Sequence, residues 1–165
     1  MQKELTAEIL KEHLHYDPET GAFTWIKKRR GRMQPGDAAG AINSHGYVKI
    51  HLLGKVFSAH RLAWLIYYGE WPPEDIDHID RNKSNNRIDN LRKASRSMNS
   101  ANVGIKSHNT SGYKGVSFNK EWGKWFAQII VRGKKKFLGY YESPEKASEA
   151  YKSEARKAFG EYFPD

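Results

Sequence analysis

The apolar positions change period several times along the chain, and each change marks an element. Ile9, Leu10, His13 and Leu14 fall on one face of a helix that Thr6 can cap, which predicts a short helix reaching Leu14. Tyr16-Asp17-Pro18-Glu19-Thr20-Gly21 reads as a turn, and Phe23-Thr24-Trp25-Ile26 as the strand after it. From Gly46 to Ala59 the period drops to two: Val48, Ile50 and Leu52 alternate with Tyr47, Lys49 and His51, and Gly54-Lys55 offers a turn before Val56-Phe57. His60 to Tyr68 returns to a helical period, with Leu62, Leu65 and Ile66 facing inward, Gly69 as the C-cap and Trp71-Pro72-Pro73 as the stop. Ser95 can cap a further helix that carries Met98 and Asn99.

Ser107 to Gly112 is short, polar and glycine-bearing, as a linker would be. Three strands follow at close spacing, Gly115 to Phe118, Trp125 to Val131 and Lys136 to Tyr140, with Arg132-Gly133-Lys134 suited to a hairpin turn. Ser143 and Pro144 start a last helix, whose stripe of Ala147, Ala150, Tyr151, Ala155, Ala158 and Phe159 is small enough to lie close on a sheet. There is no internal repeat. The expected class is α+β, with one module over residues 1–106 and a second over 107–165.

Charge narrows the partners. Lys and Arg total 28 against 19 Asp and Glu, so the net charge is +9, and the pI is near 9.6. Such a balance favours a polyanion, because phosphate neutralisation releases counterions; the plain alternative is charge kept for solubility. The run Lys27-Lys28-Arg29-Arg30-Gly31-Arg32 is open to both readings, a solvated turn or a phosphate contact. The absence of cysteine excludes disulfides and thiolate zinc sites. No apolar run approaches the roughly 18 residues of a membrane span, and Met1-Gln2-Lys3-Glu4 does not open a secretory signal. A cytoplasmic protein with no membrane partner is expected.

The chemistry concentrates in Asp77-His78-Ile79-Asp80-Arg81-Asn82-Lys83-Ser84-Asn85-Asn86-Arg87-Ile88-Asp89-Asn90-Leu91-Arg92, followed by Asn99. A hard divalent cation, Mg²⁺ or Mn²⁺, takes oxygen ligands and keeps several waters, so the Asp77 carboxylate and the Asn99 amide oxygen suffice as protein ligands. His78 suits the general base, its ordinary pKa lying near about 6.5. On a strand Asp77 and His78 point to opposite faces, so they serve one site only if the phosphate lies across the strand end or the backbone twists. Asn82, Asn85, Asn86 and Asp89 read as loop architecture. His60 has two readings, a hydrogen-bonded, half-buried histidine or a phosphate or supporting contact. His13, His15, His45, His51 and His108 lack a spacing that argues for a site.

Asp77-His78-Ile79-Asp80 with Asn85-Asn86-Arg87, Asn90-Leu91-Arg92 and Asn99 resembles the ββα-metal motif of HNH endonucleases of the phage and intron homing type, and His60-Arg61-Leu62-Ala63-Trp64 resembles the helix that often precedes it. The resemblance implies that His78 is the base, that Asp77 and Asn99 bind the metal, and that Asn90 pins the loop between the strands. It implies hydrolysis of DNA phosphodiester bonds, in which the base deprotonates water and the metal stabilises the charge on phosphate and leaving oxygen.

Residues Ser111 to Phe163 resemble the DNA-binding domain of plant ethylene-response factors through Tyr113-Lys114-Gly115-Val116, Trp122-Gly123-Lys124-Trp125, Ala127-Gln128-Ile129, Phe137-Leu138-Gly139 and Ala147 to Tyr151. That likeness implies a three-stranded antiparallel sheet, backed by one helix, that reads double-stranded DNA. The family's base-reading arginines are replaced in or near their places by Lys114, Ser117 and Asn119, so its target sequence does not carry over. By their chemistry Lys114, Trp122, Lys124, Gln128, Arg132, Lys134 and Lys136 are the candidate DNA contacts, Trp122 being equally suited to core packing. No obligate protein partner is evident, and a phage-encoded enzyme would act in the cytoplasm of a bacterial host. The rival readings are a non-catalytic DNA-binding regulator and an RNA-binding protein.

Overall fold

The Thr6 hydroxyl accepts from the Ile9 amide at 3.4 Å and starts α1 (Ala7–Lys11). This helix is shorter than the sequence pattern suggested, because Leu14 already opens β1 (Leu14–Tyr16), paired antiparallel with β2 (Phe23–Trp25). Leu14 and Tyr16 both enter the core, a two-residue spacing that a strand satisfies and a helix does not. The computed structural model describes residues 5–28, 31–105 and 107–163. Arg29 and Arg30 of the basic loop, and Met1 to Glu4, lie outside the described residues.

Between β1 and β2 the Asp17 carboxylate accepts from the Glu19 amide at 2.9 Å and the Thr20 hydroxyl at 2.8 Å. An antiparallel sheet follows, of β3 (Ala41–Ile42), β4 (Val48–Leu52) and β5 (Lys55–Ser58), with β4 central. The β4–β5 turn falls on Leu53 and Gly54, one residue earlier than expected; both have positive φ, and Lys55 pairs with Leu52. α2 (Ala59–Tyr68) buries Leu62, Ala63, Trp64 and Leu65, keeps Ile66 half-buried, and ends at Gly69 in the left-handed conformation. Leu10, Leu14, Ile50, Leu62 and Leu65 form the fully buried centre of this layer. β6 (Asp75–His78) and β7 (Leu91–Ala94) pair as a two-stranded sheet, with a 3₁₀ turn over Ile88–Asn90 before β7.

The chain divides into two compact units, residues 1–93 and 94–165. The division precedes the helix capped by Ser95, α3 (Arg96–Asn102), and does not fall at the 106/107 boundary expected from the polar stretch. Two contacts explain the shift. Lys114 Nζ donates to the carbonyls of Ser100 at 2.9 Å and Ala101 at 2.7 Å, and to that of Val103, closing the C-terminus of α3. Ala101 joins the buried cluster of Val116, Ala127, Ile129, Tyr151, Ala155 and Phe159. The polar stretch is itself a closed turn, in which Asn109 Oδ1 accepts from the Gly112 amide at 2.8 Å and from the Ser111 hydroxyl at 3.0 Å.

In this second unit β8 (Val116–Asn119), β9 (Lys124–Val131) and β10 (Lys134–Tyr141) form an antiparallel sheet with β9 central. Arg132 and Gly133 turn the β9–β10 hairpin with φ of 50° and 76°, the paired positive values of a type I′ turn. Ser143 Oγ accepts from the Lys146 amide at 3.3 Å to begin α4 (Pro144–Phe159), which buries Ala147, Tyr151, Ala155 and Phe159. The expected three-stranded sheet with a single backing helix is therefore present.

Candidate active site

Ile76, Asp77 and His78 of β6 are all buried, at 7%, 4% and 4% exposure. The strand alternation divides Asp77 and His78 between different neighbours. Asp77 Oδ2 accepts from Arg92 Nε and Nη2 of β7, both at 2.9 Å. His78 instead meets Asn86, His60 and Tyr47: its Nε2 lies 3.3 Å from Asn86 Oδ1, and its ring centroid is 5.1 Å from that of His60 and 6.1 Å from that of Tyr47.

Asn86 favours one tautomer of the imidazole. Its Nδ2 donates to the Ser84 carbonyl at 3.1 Å, so its oxygen faces His78 and the Nε2 of His78 carries the proton. Nδ1 is then the basic nitrogen. Sequence reasoning placed Asn86 among the loop-building residues and missed this contact. Asn86 is 2% exposed, and the Tyr16 hydroxyl donates to its carbonyl at 2.8 Å across 70 residues of chain. Burial, helped by the neighbouring charge of Asp17, holds that phenol well above its usual range.

Asn90 closes the loop between the strands. Its Oδ1 accepts from the Asp80 amide at 3.0 Å, while its Nδ2 donates to Asp80 Oδ1 at 2.9 Å and to the Asn85 carbonyl at 2.8 Å. Asp80 also accepts from Asn85 Nδ2 at 2.7 Å and from the Asn82 amide at 2.8 Å. Partial burial is the largest single influence on Asp80 and pushes its pKa up, but the hydrogen bonds from Asn85, Asn90 and Asn82 together hold it below the ordinary carboxylate value. Asn82, Asn85 and Asp89 act as loop architecture: Asn82 Oδ1 accepts from Ser84, and Asp89 pairs with Arg87 at 2.8 Å.

His60 sits at the first turn of α2. Its Nδ1 is buried and has no hydrogen-bond partner among the described residues. Burial, reinforced by the charges of His78, Lys49 and Arg61, lowers its pKa to about 3. Burial also lowers His78, against the raising effects of the Asn86 hydrogen bond and of Asp80 and Asp77. Both rings are therefore neutral at physiological pH, the state a base requires. Lys83 Nζ lies 4.9 Å over the Tyr47 ring and donates to the His45 carbonyl at 3.2 Å; Lys49 Nζ donates to the Ser58 hydroxyl at 2.7 Å.

Among the described residues no group of three or more His, Cys, Asp or Glu side chains converges as a metal cage. A hard cation that keeps most of its water does not need one. The Asp77 carboxylate fits such an ion: it is an oxygen donor whose orientation the Arg92 guanidinium fixes, as supporting contacts do at metal sites. Asn99 lies on α3, in the second unit.

The proposed DNA contacts are dispersed over the second unit. The Lys114 ammonium is engaged by three carbonyls at the end of α3, which makes it a helix cap and not a phosphate contact. Lys136 pairs with Glu154 of α4 at 2.6 Å, and its register partner Ile129 places it on the helix side of the sheet, as Val131 does for Lys134. Lys124 is exposed and pairs with Glu142 at 3.2 Å. Gln128 is half-buried on the open face, and Arg132 is exposed at the hairpin tip. Trp122 is 59% exposed, which decides against a core role.

Residues 57–101, from within β5 to within α3, match the family model described as HNH endonuclease. The chain is 46% identical over 59 residues to Protein 3.8 of Escherichia phage T7, covering 36% of this chain and 49% of that protein. It is 32% identical over 123 residues to an uncharacterized HNH endonuclease of Acanthamoeba polyphaga mimivirus, covering 73% of this chain and 63% of that protein. The chain thus spans between about half and just under two thirds of these relatives' lengths. No solved structure matches it. Among the described residues no helix is long and apolar enough to cross a membrane.

Proposed function

We propose that the chain is a metal-dependent DNA endonuclease of the homing type, acting in the cytoplasm, that of a bacterial host if it is phage-encoded. The observation that carries this reading is the buried, neutral His78, whose Nε2 proton is held by Asn86 while Nδ1 stays basic, on the same strand as a carboxylate fixed by Arg92. His78 Nδ1 takes a proton from water. The resulting hydroxide attacks phosphorus in line, the bond to the 3′ oxygen breaks, that oxygen takes a proton from solvent water, and His78 releases its proton to solvent. Asn86 prevents the ring from turning, and Asn90 keeps the loop that carries Asn86 closed. When bound, a Mg²⁺ or Mn²⁺ ion supplies positive charge to the phosphate and leaving oxygen. Asp77 is the carboxylate that would hold it, and Asn99 is its partner on the sequence resemblance alone. Residues 107–165 are the DNA-binding module, similar to that of ethylene-response factors, and give affinity for duplex DNA through Lys124, Gln128 and Arg132.

The test is nicking of supercoiled plasmid by the full chain with Mg²⁺, beside EDTA, His78→Ala, Asp77→Ala and Asn99→Ala. His78→Ala should lower the rate by roughly 10²–10⁴-fold with binding retained, and EDTA should abolish cleavage. Undiminished nicking by His78→Ala would remove the base from the mechanism, and full activity in EDTA would remove the metal.

A further inference from the structure

The sheet of the second unit has one face covered by α4 and one left open. Val116, Ala127 and Ile129 point to the helix and are buried. The register then puts Ser117, Phe126 and Tyr140 in one row of the open face, and Gln128 and Phe137 in the next. Trp122 folds over this face from the β8–β9 turn, where its amide donates to Asn119 Oδ1 at 3.0 Å. The rings form one continuous patch, with centroids 4.7 Å apart for Trp122 and Tyr140, 5.1 Å for Phe137 and Tyr140, and 6.2 Å for Phe126 and Tyr140. Trp122, Phe137 and Ile130 are 59%, 54% and 61% exposed. An antiparallel sheet ordinarily turns polar side chains to water on such a face.

We infer that the rings of this face are a stacking platform for unpaired bases, and that they take single-stranded DNA in addition to the duplex assigned above to Lys124, Gln128 and Arg132. The choice of DNA rests on the nuclease reading; the preference for a single strand does not. A ring stacks on the flat of a base, and in a duplex that surface is already covered by the neighbouring base pairs, so aromatic platforms select splayed or single-stranded nucleic acid. Reading a duplex groove needs polar side chains aimed at base edges, and the open face offers few besides Gln128, Ser117 and Asn119. Charge selects the class of ligand. The rim carries Lys120, Lys124, Arg132 and Lys135, all exposed, on a chain of net charge +9. A second copy of the same chain would meet it with like charge.

The experiment is fluorescence anisotropy of the full chain in EDTA with a labelled oligothymidylate, a hairpin duplex, and the RNA counterpart of the single strand. Phe137→Ala and Tyr140→Ala should each weaken single-strand binding by roughly 5- to 100-fold, the usual worth of one stacked base, with duplex binding little changed and melting temperature retained. Phe137→Trp should restore binding, and Phe137→Leu, apolar but without a π face, should not. Full binding by Phe137→Leu, an equal loss on the duplex, tighter binding of RNA, or a Phe137-dependent dimer in sedimentation would each overturn the inference. Because no cleavage is read, failure here leaves the His78 nicking result standing, and the reverse also holds.

Discussion

Asn90 offers the sharpest test of how the loop holds the site. The Asn90→Ala variant removes one acceptor contact to the Asp80 amide and two donor contacts, one of them to a carboxylate, at a position 8% exposed. Neutral hydrogen bonds contribute about 0.5–1.5 kcal/mol and those to charged groups about 1.5–3 kcal/mol. Discounting the partly exposed Asp80, the loss should be about 2–4 kcal/mol, against a total of about 5–15 kcal/mol for a domain. Asn90→Asp separates this account from mere loss of packing. It keeps the volume and the acceptor, but replaces the Nδ2 donors by a carboxylate oxygen facing Asp80 Oδ1. At pH 7 it should therefore be less stable than Asn90→Ala, through like-charge repulsion. The new carboxyl would have a raised pKa, so the deficit should shrink as pH falls through that value and the group regains a donor. Urea unfolding followed by tryptophan fluorescence, to which Trp25, Trp64 and Trp71 of the first unit contribute, reads the difference; with slopes of about 1–3 kcal/mol per molar urea, the midpoint should drop by about 1–2 M. An Asn90→Asp variant as stable as the parent at pH 7 would refute the donor assignment.

Three further outcomes follow from the same site. Burial lowers both His60, to about 3, and His78, so the unfolded chain binds protons that the folded one refuses. Their contribution is complete above about pH 6.5 and is lost as pH falls, by about 1.4 kcal/mol per pH unit for each proton taken up on unfolding; urea midpoints across pH 5–7.5 should show a shallower acid decline in His60→Gln. Gly21 has φ of 73°, and a Cβ there would enter the backbone of Asn86 and Arg87, so Gly21→Ala should cost at least about 2 kcal/mol and slow plasmid nicking by displacing Asn86. Arg92→Met leaves the 4%-exposed Asp77 charge without its guanidinium, which should cost about 3–5 kcal/mol in the same unfolding assay, with recovery in the Asp77→Asn, Arg92→Met double variant.

What was legible in the sequence shares a physical character: it depends on neighbours within a few positions. Thr6, Ser95 and Ser143 each cap the helix expected of them. Gly69 ends α2, and Arg132-Gly133 makes its hairpin. Asp77, His78 and Asn90 stood out by their spacing, and the structure places them on β6 and at the foot of β7. The unread parts depend on contacts distant along the chain. Nothing in a local window says that the Tyr16 hydroxyl reaches the Asn86 carbonyl, or that Gly21 is glycine because the motif loop lies against it. Asn86 resembled its turn-building neighbours, and only its burial and its contact with His78 distinguish it. The cations of the second unit were read from residue type, which could not show that Lys114 and Lys136 are held within their own unit. The exposed rings of Phe137 and Tyr140 were hidden for a related reason: alternation names the two faces of a strand, but not which one a helix will cover.

The clasp of Lys114 on α3 bears on how such chains can be cut and rejoined. A fragment ending at the polar stretch loses the ammonium that neutralises the carbonyl end of α3, and with it the anchorage of the helix that bears Asn99. The natural seam lies before Ser95. A graft that exchanges this C-terminal sheet for another, or this first unit for another, carries α3 with the sheet. The helix that bears Asn99, which follows Asp77 and His78 closely in the sequence, travels in the fold with the other half of the molecule.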